Sequence, residues 1–295
     1  MNILVTGASG GFGRKLIPQL LGRGDIAIRT LIHRAPWDFP GCQPVRGSLQ
    51  DADSLEKAVA GIDTVVHLAA MTHSHRRDDY LRVNAEGTQN LIRVCARNNV
   101  QRFIFMSSGA AHPEGGAYSE SKLKAEEHVK ASGLPWVILR PREVYGTGGR
   151  EGINQLIHWV RKYPMVPVIG DGNYGLSPVF IEDVVSATVE AVLQKDAPGK
   201  TFTLAGPEEM TCVALIDRVA ECFGVRVKKL FLPLSLVKGL AGLLNALNIH
   251  TVVPDQIPRL LCQKASASDS AARVLNYRPR RLEEGLRLCF PFKPS

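Results

Sequence analysis

A chain of 295 residues, 45% hydrophobic and 22% charged, has the composition of a soluble globular protein and is long enough for one large α/β domain with an appended lobe. Its formal charge of +8, from 36 basic and 28 acidic residues, would suit nucleic acid, an anionic membrane or a phosphorylated ligand. No lysine block or aromatic-interleaved basic stripe accompanies that charge, so nucleic acid is not an expected partner. The six cysteines, Cys42, Cys95, Cys212, Cys222, Cys262 and Cys289, are scattered without a CxxC pair. They point to reduced thiols in a cytoplasmic protein, with neither a disulfide frame nor a zinc site, and a start directly on a strand leaves no room for a signal peptide. The densest cationic run, His73-Ser74-His75-Arg76-Arg77, reads as a solvated loop, the alternative being a phosphate contact near the mouth of a site. Its histidines lack cysteine or carboxylate partners, and no metal is expected.

The chain opens on a short strand, Ile3-Leu4-Val5, and turns at once into Gly7-Ala8-Ser9-Gly10-Gly11-Phe12-Gly13. An amphipathic helix follows, with Leu16, Ile17, Leu20 and Leu21 on one side. At such a junction the glycines have separate tasks. Gly7 makes the tight turn, Gly10 lets a pyrophosphate approach the backbone, and Gly13 lets the helix pack close on the strand. The free amides at the helix N-terminus then face the phosphates, so the whole loop, Ser9, Gly11 and Phe12 included, is assigned to a dinucleotide.

Apolar runs at 26–32, 63–69, 102–106 and 136–139 read as buried parallel strands, alternating with helical patterns at 52–60, 79–97 and 117–131. This alternation predicts an α/β fold built on a doubly wound parallel sheet with right-handed crossovers. The second strand ends Leu31-Ile32-His33-Arg34. A site for NAD normally places Asp or Glu there to bind the ribose hydroxyls. Arg34 instead suits a 2′-phosphate, which favours NADP over NAD, and stacking on adenine is the alternative. Pro141–Gly149 is turn-rich and marks a change of region, and 151–177 carries a helix and a proline- and glycine-rich loop. Val179-Phe180-Ile181, followed by Glu182-Asp183 and a helix, is expected to rejoin the sheet, as is Thr201–Leu204. From about 206 the pattern is short helices with little strand. Leu230–Ile249 is apolar but interrupted by Pro233, Lys238, Asn245 and two glycines. It is expected as a buried or lid-forming helix; a membrane-surface helix is the alternative, and membrane association is not expected.

Tyr118-Ser119-Glu120-Ser121-Lys122 opens a helix, and tyrosine and lysine four apart share one face. A lysine cation beside a phenol favours the phenolate, which brings a group that normally titrates near ~10 into use as an acid/base near neutrality. Just upstream, Ser107-Ser108 ends the strand Phe103–Met106, at the sheet edge where such folds bind ligands.

In combination the chain resembles an extended short-chain dehydrogenase/reductase of the NAD-dependent epimerase/dehydratase family. The matching segments run in family order: Thr6-Gly7-x-x-Gly10-x-x-Gly13, Asp63-x-x-x-His67-Leu68-Ala69-Ala70, Val83-Asn84-x-x-Gly87-Thr88, Ser107-Ser108, Tyr118-x-x-x-Lys122 and Leu139-Arg140-Pro141-x-x-Val144-Tyr145-Gly146. Ile169-Gly170-Asp171-Gly172, Val179-Phe180-Ile181-Glu182-Asp183-Val184 and Leu204-Ala205-Gly206-Pro207 complete the set. The resemblance implies a Rossmann-type sheet with a small, mostly helical C-terminal substrate lobe. Residues 1–150, completed by about 178–205, would hold the dinucleotide, and 151–177 with 206–295 the substrate.

The same resemblance makes Tyr118 the acid/base, Lys122 its partner and a hold on the nicotinamide ribose, and Ser108 the catalytic hydroxyl, with Ser107 as the backup. Asn84 lies below the site, and Leu68, Ala69 and Ala70 line the cofactor. Pro141 and Val144 approach the nicotinamide, and Ser48-Leu49 meets the adenine. The implied function is oxidoreduction or epimerisation of a secondary alcohol/ketone pair on a nucleotide sugar, of the 4-epimerase or 4-ketoreductase type, in a protein that could be a homodimer. Three departures stand out. Only nine residues separate Ser108 from Tyr118, Glu143 replaces a common asparagine, and Leu176 replaces an arginine that holds the nucleotide diphosphate. A second resemblance, to the accessory subunit of respiratory complex I, implies the alternative of a non-catalytic dinucleotide-binding scaffold.

Overall fold

The computed structural model describes residues 1–34, 39–149, 152–239, 256–262, 264 and 269–290. Its central sheet has seven parallel strands in the order β11 (Lys200–Leu204), β6 (Trp136–Pro141), β5 (Arg102–Met106), β4 (Thr64–His67), β1 (Asn2–Thr6), β2 (Ala27–Ile32) and β3 (Cys42–Arg46). Alternate residues of each strand enter opposite cores. Ile3, Val5, Val66 and Ile104 face the side covered by α1 (Gly11–Leu21) and α7 (Ile181–Leu193). Leu4, Val65, Phe103 and Phe105 face α2 (Ala52–Val59), α4 (Gly87–Arg97) and α5 (Gly116–Lys130). Burial on both faces is why these strands read as continuous apolar runs. The direction of strand succession reverses between β1 and β4, which opens a crevice at their C-terminal ends, where Thr6 stands beside His67.

The alternation therefore predicts the sheet, including Thr201–Leu204, which joins its edge beside β6. Other expectations are corrected. Val179-Phe180 does not rejoin the main sheet: β10 (Pro178–Phe180) pairs in parallel with β7 (Glu143–Tyr145) in a separate two-stranded sheet, and Ile181 begins α7. The Leu230 end of the expected lid helix is strand: β13 (Lys228–Leu232) pairs with β8 (Met165–Ile169), leaving Leu230 and Phe231 about half exposed, and residues 240–255 lie outside the described residues. β3 carried no apolar signal because it is a mostly exposed edge strand, the position where Pro44 is tolerated. The helix expected over 79–97 contains a π turn at Leu81–Glu86, which carries Asn84. The six cysteines are free thiols, and no described helix is long and apolar enough to cross a membrane.

Candidate active site

The glycine loop separates into packing positions and open ones. Gly7, at φ +71, faces the end of β4 so closely that a Cβ would stand 2.6 Å from the Ala69 nitrogen, and a Cβ on Gly13 would stand 2.5 Å from Ala8 Cα. These two glycines serve strand and helix packing. A Cβ on Gly10 would meet only the Gly7 carbonyl oxygen, at 3.3 Å, and one on Gly11 would meet nothing within 4 Å. Both are exposed at the start of α1, beside the partly exposed Ser9 and Phe12. The protein's own packing does not require glycine there. An open cradle before unsatisfied helix amides fits a pyrophosphate, so these residues fit a dinucleotide.

Beyond β2, His33 and Arg34 are exposed and no carboxylate stands beside them in sequence. Leu49 is buried in the core and Ser48 accepts a hydrogen bond from Gln50, in a segment against which Gly87 packs.

A chain of hydrogen bonds braces the crevice wall. Ala69 N donates to Thr6 Oγ1 (3.3 Å), Thr6 Oγ1 meets His67 Nδ1 (2.6 Å), His67 Nε2 meets Thr88 Oγ1 (3.0 Å), and Thr88 Oγ1 donates to Asn84 O (2.5 Å). Thr88 has one hydroxyl proton, and it goes to Asn84. His67 Nε2 must therefore be the donor and Nδ1 the acceptor. Complete burial, with Lys122 adding repulsion, lowers the His67 pKa to about 3 and keeps the ring neutral. The Asn84 side chain accepts from Met71 N (2.7 Å) and donates to Met71 O (3.0 Å) and Ser121 Oγ (2.9 Å). It joins the segment that carries Leu68, Ala69 and Ala70 to α5, so its side chain serves as a brace.

α5 carries Tyr118 and Lys122 one turn apart, both buried. Lys122 Nζ donates to Met106 O (2.7 Å) and lies 4.2 Å from the Phe105 ring centroid. Burial, partly offset by attraction to Glu126, lowers its pKa to about 7, so near neutrality it is divided between ammonium and amine. The two serines have different fates. Ser107 Oγ is buried and donates to Glu126 Oε1 (2.6 Å), within a carboxylate that also receives Arg140 Nε (2.7 Å) and Nη2 (2.5 Å). Ser108 is partly exposed, and its Oγ accepts from Ala110 N (3.1 Å). Of the two serines, Ser108 is the one that keeps solvent exposure, just beyond the C-terminal end of β5. Pro141 ends β6, and Val144 lies in β7.

The third wall comes from far along the chain, and the sequence held no periodic signal for it. The helix Gln256–Leu261 places the Arg259 guanidinium 4.2 Å over the Tyr118 ring, with Nη2 donating to Thr72 O (3.3 Å). Gln256 Nε2 meets His73 Nε2 (2.8 Å), which ties one residue of the basic run to this wall, while Arg76 and Arg77 of the same run are exposed and Arg77 pairs with Glu120 on α5. Lys264 Nζ binds Glu143 Oε1 (2.5 Å), while Glu143 Oε2 accepts from Ser177 N (2.7 Å) and lies 3.6 Å from Arg142 Nε. Burial would push the Glu143 carboxyl up, but Lys264 and Arg142 outweigh it and hold the group below the usual carboxylate range. Leu176 is 3% exposed, in a short strand paired with Met210–Thr211, and brings no charge to the crevice.

A model of the NAD dependent epimerase/dehydratase family matches residues 3–205. The chain is 26% identical to a 3 beta-hydroxysteroid dehydrogenase/Delta 5-->4-isomerase of Mycobacterium tuberculosis, over 99% of this chain and 90% of that protein. It is 28% identical to a 2-alkyl-3-oxoalkanoate reductase of Stenotrophomonas maltophilia, over 78% of each. Its fold is similar to that of UDP-glucuronic acid 4-epimerase from Bacillus cereus, solved with UDP-glucuronic acid and NAD, at TM-score 0.79 and 24% identity over 98% of both chains. With a family model that covers residues 3–205 and a parallel sheet of matching topology, the chain belongs to the NAD-dependent epimerase/dehydratase family of enzymes.

Proposed function

We propose that the protein interconverts a secondary alcohol and a ketone with NADP. Residues 1–150, completed by 178–205, hold the cofactor, and 151–177 with 206–295 hold the substrate. One observation carries this: Tyr118 and Lys122 are buried one turn apart on α5, Lys122 Nζ is bonded to Met106 O at the end of β5, and of the serines that follow it Ser108 is the one partly exposed. When bound, the nicotinamide supplies or accepts the hydride. Ser108 orients the substrate oxygen, and Tyr118 gives or takes its proton. The Lys122 ammonium steadies negative charge developing on the tyrosine oxygen and, within reach of the same pocket, holds the ribose. Arg34, exposed beyond β2, supports a 2′-phosphate, although the similar solved structures hold NAD.

A nucleotide sugar as substrate rests on the family resemblance, and UDP-sugars are named with the similar solved structures. The buried Leu176, standing where an arginine would clamp the diphosphate, favours instead an alcohol or ketone without that group. The oxoalkanoate and hydroxysteroid relatives act on such compounds.

The test is Tyr118→Phe, which removes only the hydroxyl. Cofactor affinity should hold while single-turnover hydride transfer, followed by nicotinamide absorbance, falls about 10²–10⁴-fold. Full activity in the variant would refute the assignment, and cofactor binding without transfer on any ketone would favour a scaffold.

A further inference from the structure

Three residues of the C-terminal part reach three different edges of the crevice. Gln256 meets His73 beyond β4, Arg259 covers Tyr118 on α5, and Lys264 binds Glu143 on β7. Arg259 is the central one. Its guanidinium stands 4.2 Å over the ring of the proposed proton donor and also holds Thr72 O, bridging α5 and the segment that follows β4. Any compound in register with Tyr118 therefore lies within a few atoms of this cation.

The neighbouring charges have the same sign. Arg142 and Lys264, both with nearly buried side chains, converge on Glu143, two cations against one carboxylate. Arg142 also backs the serine loop: a Cβ on Gly109, next to Ser108, would stand 2.7 Å from Arg142 Cδ. Glu209, 58% exposed, also lies 3.9 Å from Arg142. Arg142, Lys264 and Arg259 thus bring cationic groups to the elements that carry Tyr118 and Ser108, while the buried Leu176 brings none. A cleft of one sign of charge with apolar walls draws in the opposite charge. A planar guanidinium is suited to a carboxylate, which it can hold by two parallel hydrogen bonds.

We propose that Arg259 is a substrate-binding residue that receives a carboxylate borne within a few atoms of the reacting carbon, which makes the substrate a hydroxy or oxo acid. The proposal rests on the alcohol–ketone chemistry assigned to Tyr118. Two sources of that carboxylate are distinguishable, an oxoalkanoate and a uronic acid.

The experiment uses the cofactor-loaded protein and two matched pairs, 3-oxooctanoate against its methyl ester and UDP-glucuronic acid against UDP-glucose. Wild type should prefer the acid of one pair, and that pair identifies the source. Arg259→Ala and Arg259→Gln should lower the acid-to-neutral ratio of kcat/KM by about 10- to 100-fold, the scale of a charged hydrogen bond, whatever either variant does to turnover of the neutral partner. Arg259→Lys should retain part of the preference. A guanidinium that merely clamps the tyrosine ring would change acid and neutral compounds alike, so an acid-to-neutral ratio equal in wild type and both variants overturns the proposal. If wild type transfers hydride to none of the four, the chemistry at Tyr118 fails first, and binding decides the carboxylate. Calorimetric titration of either acid, weakened tenfold or more in Arg259→Gln, supports the site. Titration that is undetectable or unchanged refutes it.

Discussion

Gly10 and Gly13 are three residues apart in one loop, yet substitution should separate folding from cofactor binding. At Gly13 an added Cβ would stand 2.5 Å from Ala8 Cα, roughly 1 Å inside ordinary contact, and the obstacle is backbone that cannot rotate away. Overpacking typically costs ~1–3 kcal/mol. The upper end applies here, which for a chain of this size lowers Tm by about 5 °C. Gly10 differs in both respects. Its φ of −73° and ψ of 167° are ordinary for valine, and its Cβ would meet only one oxygen, at 3.3 Å. Gly10→Val should therefore fold with a stability change near ~0.5 kcal/mol. Its two methyl groups would occupy the space before the first amides of α1. Each charge-assisted hydrogen bond to a phosphate is worth about 1.5–3 kcal/mol, so displacing two weakens dinucleotide binding about 10²–10⁴-fold. Thermal melts of both variants and calorimetric titration with NADP and NAD read the two effects. A folded Gly10→Val that binds either cofactor within threefold of wild type would refute the cradle. A Gly13→Ala that melts with wild type would refute the packing account.

Arg34→Ala should weaken NADP about tenfold to hundredfold and leave NAD nearly unchanged, measured by titration, because only NADP carries the 2′-phosphate. Equal losses would mean that the side chain stacks on adenine. His67 sets an acid limit on stability. The unfolded chain protonates it near 6.5 whereas the folded protein keeps it neutral down to about 3, so between those values the unfolded state binds more protons. Its contribution is intact above pH 6.5 and is lost as pH falls, by up to ~1.4 kcal/mol per unit. Between pH 6.5 and 5, wild type should lose about 2 kcal/mol more than His67→Asn in urea unfolding; parallel losses would show that the histidine titrates freely in the fold.

Much of the N-terminal half of this protein is written locally. Parallel strands buried on both faces leave unbroken apolar runs, so β1, β4, β5 and β6 could be read directly, and a glycine loop at a strand-to-helix junction announces its geometry because few other residues tolerate it. The Tyr118–Lys122 pair is likewise local, one turn of one helix. What the sequence could not assign depends on contacts between distant segments. That Ser107 is buried while Ser108 stays partly exposed depends on Glu126 and Arg140, which hold the Ser107 hydroxyl in the core. Val179-Phe180 reads as one more buried strand, and only its pairing with β7 shows that it stands outside the main sheet. Arg259 is 141 positions from Tyr118 and Lys264 is 121 from Glu143. No periodicity links residues so far apart, so the cationic wall of the crevice exists only once the chain has folded back on itself.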